Sequence, residues 1–427
     1  MSRLRAVVAA LTLGTPLVAT AADVTRVATS FEDDDPFGMF LDVNFEHTRR
    51  RTKIMRETLP TDAGTRQLAS ELWHKEFDTR LNLGLTVGIF RDVELSFGLP
   101  VVLARNESWN FTSETHPSTS TILNNCLRAN GSLTNPACAT TGAGEVPLFA
   151  VPLEAFRGGL GNMHFGLAWA IFNQRKDDTK PTWVVGLDYE APTAKLLDPS
   201  ILTAGDNRGA VGDRVHKYTL YTALSRKSGI ADPYFRMHYT IPVRGPGAYS
   251  NCDQLFVEPQ NLGRPENCGM PGWDRKTTGI QAPHTGGVTF GAEFLVYDQP
   301  NRKFALDLRG IGNYVSEGRY YNQLSGALRK LLYTGDYLQM GGQVALTARL
   351  SDMLSVRGSG TYLYNTDHAL TDEKIGKDLD GNGSVDLTDN PAEINPNFDF
   401  RTDFVSRRFH ASESRDIRIE LSGTLSF

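Results

Sequence analysis

A chain of 427 residues can hold two or three soluble domains or one sizeable barrel. Its net charge of −5, with no basic cluster interleaved with aromatics, excludes nucleic acid as an implied partner. Mean hydropathy is −0.31, and beyond the N-terminal segment no apolar run approaches the ~18 residues of a membrane helix. A helical membrane protein is therefore excluded, but a barrel is not, because barrel strands hide half their side chains from lipid.

Met1 to about Ala21 (1–21) reads as a secretory signal peptide. Arg3 and Arg5 supply the positive start, Ala6 to Val18 the short apolar core, and Ala19-Thr20-Ala21 the small-x-small site for cleavage near Ala22. No Cys follows that site, so a lipoprotein is not expected. Residues 22–38 form an acidic periplasmic leader carrying Glu32, Asp33, Asp34 and Asp35. It either enters a lumen as a plug or stays disordered, and disorder is the expectation.

From 39 to 427 the chain alternates. The first predicted strand runs from Met39 to Lys53, with Leu41, Val43 and Phe45 on one face. Leu81, Leu83, Leu85, Val87 and Ile89 follow with the same period of two. A tight reversal at Phe90-Arg91-Asp92 leads into Val93, Leu95, Phe97, Leu99 and Val101. An irregular stretch, 105–156, comes next, rich in Asn, Ser, Thr, Pro and Gly.

Four further hairpins are predicted: 161–172 with 183–191, 217–226 with 234–243, 288–297 with 304–313, and 338–350 with 354–364. Longer segments separate them at 193–215, 245–285, 315–333 and 366–413. Short turns on one side and long loops on the other predict an all-β fold, an antiparallel transmembrane β-barrel of about 12 strands. Its short turns are expected in the periplasm, and loops 105–156, 245–285 and 366–413 outside the cell.

The last thirteen residues, Arg415 to Phe427, carry the clearest alternation. Ile417, Ile419, Leu421, Gly423, Leu425 and Phe427 share one face. Such a tail would be an exposed edge in a soluble sandwich, the competing reading, whereas a barrel pairs it with the first strand. It resembles the C-terminal signal of Gram-negative outer-membrane barrels, and so implies outer-membrane lipid and the barrel-assembly machinery as partners. Phe90, Trp169, Phe172, Trp183, Tyr297, Phe304 and Phe427 all lie beside the short turns or the C-terminus, where an interfacial aromatic girdle belongs.

If the apolar face meets lipid, the lumen receives Glu94, Asp188, Glu190, Arg236, His238, Glu293, Asp307, Arg309, Arg349, Arg357, Arg418 and Glu420. Both signs occur in similar numbers. They read either as the lining of a solute path or as a salt-bridge lattice that blocks it. A twelve-strand barrel is too narrow for a wide diffusion pore.

Two features concern the loops. Cys126, Cys138, Cys252 and Cys268 fall into two close pairs, and locality favours Cys126–Cys138 and Cys252–Cys268 among three connectivities. A metal site is the weaker reading, because neither pair has a CxxC spacing. Residues 378–389 (DLDGNGSVDLTD) match a calcium loop. Asp378, Asp380, Asn382, Asp386 and Asp389 stand at the oxygen-donor positions, Ser384 supplies a carbonyl, and Gly383 takes the sharp turn. Position 12 is Asp389 rather than Glu, and Gly376 before and Pro391 after argue against flanking helices. Ca2+ as a structural clip is expected; the competing reading is a polar turn.

Three stretches carry a family resemblance. Val87 to Val102 (VGIFRDVELSFGLPVV), Gly158-Gly159-Leu160-Gly161-Asn162 and Glu190-Ala191-Pro192-Thr193-Ala194 resemble motifs of the outer-membrane proteins named for the meta-pathway of phenol degradation. The resemblance implies a barrel that passes small, often hydrophobic or aromatic solutes. Departures are Phe90 in the turn, Asn162 for Asp and Ala194 for Gly, and the Cys-bearing and calcium loops are additions. A non-conducting structural or adhesive surface barrel is the alternative. An outer-membrane hydrolase is the least favoured, because the strands hold no GxSxG, no HExxH and no Ser beside a His.

Overall fold

The computed structural model describes residues 22–31, 37–58, 67–134, 147–201, 208–254, 265–299, 302–386 and 388–427. The signal peptide, the acidic run Glu32–Asp35 and Cys138 lie outside these.

Period-two alternation becomes strand pairing. The strands in chain order are β1 (Met39–Thr58), β2 (Gln67–Phe90), β3 (Val93–Phe111), β4 (Leu153–Leu160), β5 (Met163–Phe172), β6 (Thr182–Ala191), β7 (Val215–Ser225) and β8 (Ala231–Arg244). After them come β9 (Thr285–Gln299), β10 (Arg302–Val315), β11 (Gly318–Tyr320), β12 (Leu332–Thr334), β13 (Tyr337–Arg349), β14 (Leu354–Asn365), β15 (His368–Ala369) and β16 (Phe409–Ser426). Twelve of them pair in sequence order around a ring, β1-β2-β3-β5-β6-β7-β8-β9-β10-β13-β14-β16, and β16 closes on β1. Every pair is antiparallel. β4 and β15 extend β3 and β16, while β11 and β12 form a small separate ladder.

At the closure, Leu41, Val43 and Phe45 face Leu425, Gly423 and Leu421 on one side and Leu85, Leu83 and Leu81 on the other. The seam ends with Met39 and Phe427 exchanging backbone hydrogen bonds of 3.2 and 2.9 Å. The apolar partners point away from the lumen, and Leu95, Phe290, Val344, Leu346, Ile419 and Leu421 are among many exposed large hydrophobics. A continuous apolar belt of this kind is stable only against lipid. The chain is a transmembrane β-barrel of the bacterial outer membrane. Phe90, Trp169, Phe172, Tyr297, Phe304 and Phe427 are exposed around its short-turn end. Trp183 packs on Phe172 at 5.8 Å and donates from Nε1 to Thr222.

The strands are longer than the alternation predicts. β1 runs on to Thr58 and β3 to Phe111. The expected loop 105–156 thus loses its first residues to β3 and its last to β4. β9 starts at Thr285 and β16 at Phe409, trimming 245–285 and 366–413. The extensions lie beyond the lipid belt, where outward side chains are polar and the hydrophobic period is lost.

One irregularity resets the pattern. Arg80 pairs with Val102 and Thr79 with Ala104, so Leu103 is an extra residue in β3. Before it, even-numbered residues such as Glu94 and Ser96 point inward. After it, Arg105, Glu107 and Trp109 do. A bulge with two residues opposite one makes this switch.

Candidate functional site: the lumen and its two closures

At the short-turn end the lumen holds part of the chain's own leader. Disorder does not describe its first part: Ala22–Phe31 threads along the inner wall, held by polar groups that the alternation had turned inward. The Asp23 N–H donates to Glu293 at 3.2 Å, and the Asp23 carboxylate lies 3.5 Å from Arg309 and 3.8 Å from Arg357. The Ala28 N–H donates to Glu94 Oε2 at 2.6 Å, and Thr25 and Ser225 share a hydroxyl hydrogen bond of 2.7 Å. Ser30 and Arg91 exchange backbone hydrogen bonds. Seating these donors and acceptors offsets the entropy of ordering the segment.

Beneath it, Asp307 is 1% exposed. It accepts from Arg309 Nε at 2.7 Å, from Arg357 at 2.6 Å and from the Tyr234 hydroxyl at 2.5 Å. Glu293, Asp307, Arg309 and Arg357 thus form one cluster across β9, β10 and β14. Other predicted lining residues pair separately. Asp188 lies 3.8 Å from Arg236, and Glu190 accepts from Lys217 at 3.0 Å. Arg418 lies 3.6 Å from Glu46, and Glu420 accepts from Ser359 at 2.8 Å. His238 lies against the β9 backbone at Gly287. Arg349 stays at the rim, donating to Ser351 and Asp352 of the short turn.

Between the closures is a cavity of about 910 Å³, bounded by Glu46, His164, Asp188, Glu190, Lys217 and Tyr321 among others. A smaller one of about 220 Å³ lies towards the long-loop end, where Arg50, Arg80, Arg105 and Arg157 converge with Glu76 and Glu107. There Asp416 accepts from Arg50 at 2.9 Å, and Asp78 accepts from Arg80 at 2.7 Å and Arg105 at 2.8 Å. Sequence reasoning missed this second polar tier. The signal was present, since Glu76, Asp78 and Arg80 continue the even-numbered inward face of β2. A third cavity of about 710 Å³ is apolar and lies on β7–β10 and β13. Leu220, Met237, Val288 and Met340 wall it, and Gly286 and Gly312 leave side-chain space vacant.

The long-loop end is closed by a folded cap. Ile54, Leu72, Trp109, Ile122, Leu324 and Phe409 are all at 0% exposure and form one core with Leu332 and Leu370. Trp109 Nε1 donates to the Gln323 carbonyl at 2.7 Å, which ties β3 to the one-turn helix Ser325–Leu328. Arg319 and Glu373 form a buried two-pronged ion pair. Lys330, 2% exposed, sits 3.4 Å from Asp399 and 3.8 Å from Asp403. Burial opposes the Asp399 charge, but Lys330 and Arg401 hold its pKa down at about 2. Burial, with Glu373 and Asp399 nearby, pushes Asp403 up to about 7.

The two loop features meet in this cap. Cys252 and Cys268 are bonded, with Cα atoms 5.7 Å apart. Cys126 is also disulfide-bonded, while Cys138, its expected mate, lies outside the described residues. Trp273, close after Cys268, donates from Nε1 to the Ala392 carbonyl at 2.6 Å, and Asn267 donates to the carbonyls of Pro391 and Ile394. The disulfide loop therefore buttresses the end of the calcium-type loop.

Within that loop, Gly383 has φ of +88°, the left-handed turn expected of it. Asp378 accepts from the N–H groups of Gly383, Gly381 and Asn382. These bonds, that of Gly383 foremost, hold its pKa below the ordinary carboxylate value. Asp386 is likewise lowered, by the N–H groups of Asp389 and Thr388. The structure brings together Asp378, Asp380 and Glu393, with one carboxylate oxygen from each within 4.8 Å of the others. Asp389 is not in that trio. Glu393, buried and accepting from the N–H groups of Asp386 and Leu379, brings a further carboxylate to the loop. An all-oxygen donor set of this kind fits a hard cation such as Ca2+.

No protein-family model matches the chain, and no curated protein does. Among solved structures it is similar to an outer-membrane channel from Pseudomonas putida F1, at 10% identity and a TM-score of 0.43, covering 96% of this chain and 100% of that one. It is also similar to a FadL homologue from Pseudomonas aeruginosa, at 10% identity and a TM-score of 0.36, covering 91% and 90%. A third is the outer-membrane protease OmpT from Escherichia coli, at 8% identity and a TM-score of 0.28, covering 92% and 98%. At these levels the likenesses name no cargo, and the assignment of this chain as a closed, twelve-stranded outer-membrane barrel rests on its own strand pairing and lipid-facing belt.

Proposed function

We propose that this barrel is an outer-membrane channel for small solutes, apolar and aromatic ones included, with Ala22–Phe31 closing its periplasmic end and the loop cap its outer end. The observation that carries this reading is the cavity of about 910 Å³ within the barrel. A purely structural barrel has no need of a mixed-charge chamber of this size. The apolar groove over Gly286 and Gly312 gives a lipid-side resting place for an apolar cargo.

The reading includes export through a signal peptide cleaved before Ala22. Ala22 is 1% exposed and lies beside Asp232, a buried carboxylate that also neighbours Ser225 and Lys227. Cleavage there would place a new α-ammonium beside that carboxylate, where a charge-assisted bond can form.

Planar-bilayer recording of the mature protein tests the channel. Stable conductance, increased by deleting residues 22–31, is the expected result. Silence in both forms would favour the structural or adhesive reading, which the ion pairs at Asp307 along the barrel wall support.

We also propose Ca2+ as a clip held by Asp378, Asp380 and Glu393, with Asn382, Ser384 and Asp386 completing the oxygen set. It would fix the loop against Trp273 and the disulfide segment. Glu393→Gln is expected to abolish a calcium-dependent rise in Tm, whereas Asp389→Asn is expected to weaken it less. The reverse order would restore Asp389 as the twelfth-position ligand.

A further inference from the structure

A second donor cluster lies in the barrel wall, and neither transport nor the calcium loop uses it. His74 of β2 is 1% exposed, and neither of its ring nitrogens has a hydrogen-bond partner. Buried polar groups are rarely left this way, because their lost hydration is uncompensated. Glu76 is two residues further along the same inward face, and Glu107 of β3 is its direct cross-strand partner. Like charges placed opposite each other on one face repel. One ligand atom from each of the three side chains lies within 4.8 Å of the other two.

The surroundings fix these groups. His74 packs on Trp109 at 5.2 Å, and Trp109 is anchored through Nε1 to Gln323. Gly326 of the one-turn helix sits so close that an added Cβ would lie 2.8 Å from Trp109 and 3.2 Å from Glu107. The cavity of about 220 Å³ opens onto Glu76 and Glu107, so an ion and its water have room to enter.

We propose that His74, Glu76 and Glu107 bind a divalent transition-metal ion of the zinc class. One cation uses the unshared pair of the imidazole and cancels the carboxylate repulsion in a single step. A donor set of one nitrogen and two carboxylates suits Zn2+ or Co2+, with water in the remaining position, whereas Ca2+ has little use for an imidazole. Arg50 lies 3.5 Å from Glu76 and competes with the ion for it, although its shorter contact is with Asp416 at 2.9 Å. The site therefore ties β2 to β3 where the cap meets the lumen.

Co2+ is the probe. The full-length mature barrel, folded in detergent and stripped with chelator, is titrated with Co2+ while excess Ca2+ saturates the calcium-type loop. The expected result is one Co2+ per chain with visible ligand-field bands and a rise in Tm. His74→Ala and Glu107→Gln should each weaken binding about tenfold or more. Arg50→Gln should tighten it. Glu107→Gln, which removes the repulsion, should leave the metal-free barrel at least as heat-stable, so its loss of Co2+ binding would not be a folding defect. Absence of binding by the wild-type barrel at millimolar Co2+, or equal binding by both ligand variants, would overturn the proposal.

Discussion

The lipid belt and the loop cap are built from the same strands on the same pleat, yet their chemistry is reversed. Along β1 the inward residues in the belt are Asp42, Asn44 and Glu46. Continuing inward by twos, past Thr48, Arg50 and Thr52, the side chain becomes Ile54, fully buried in an apolar core. In the belt, lipid takes the apolar side chains and the wet lumen takes the charges. Above it, water surrounds the outside of the strands, and the interior, filled by folded loops, becomes the dry phase. Side-chain polarity tracks the local solvent rather than the face of the strand.

That contrast can be broken from either side. The largest effect is expected from Trp109→Ala, which empties the centre of the cap core and should cost about 3–5 kcal/mol there. Limited proteolysis should show the long loops opening while heat-modifiable migration shows the belt intact. If the belt melts with the cap, the two regions are one cooperative unit. Replacing Cys252 and Cys268 by Ser should cost the cap about 3 kcal/mol, given a loop of 16 residues. Hydrogen exchange localised to residues 265–284 and 366–408 would register it.

In the belt, Ile419→Arg should cost about 2–4 kcal/mol in urea unfolding from lipid vesicles, while Ser422→Arg, facing the lumen, should cost far less. Equal penalties would mean that Ile419 does not face lipid. The smallest effect concerns pH. Asp403 has a folded-state pKa of about 7 against an ordinary 3.8, so the folded cap holds this proton more tightly than the unfolded chain does. Its contribution is complete below about pH 4 and is lost as the pH rises towards 7. Cap protection should be greater at pH 5 than at pH 8, and Asp403→Asn should flatten that difference.

These regions were not equally readable beforehand. The belt was legible because lipid imposes a strict period of two, and Leu41 through Phe45, Leu81 through Ile89 and Ile417 through Leu425 keep it. The cap was not, because in Arg105–Phe111 the dry side chain is the inward Trp109 and its neighbours outside are polar. The stretch therefore looks like irregular loop. The charges around Asp307 were foreseen singly, but not their convergence, which depends on the registers of β9, β10 and β14 with their neighbours. Glu393 escaped because it lies four residues past the end of the loop motif and reaches it only through the short helix Pro391–Glu393. The Cys252–Cys268 bond, by contrast, followed from simple nearness in sequence.

The extra residue Leu103 has a consequence for how this wall tolerates change. It acts as a frameshift in the pleat: upstream the inward frame is even, downstream it is odd. Deleting that one position would straighten the strand and leave Arg105 and Glu107 inward, whereas drawing Leu103 into register opposite Thr79 would turn both to the outer surface and swing Asn106 and Ser108 into the chamber. Two opposite one-residue edits on either side of it should cancel, as paired frameshifts do in a gene.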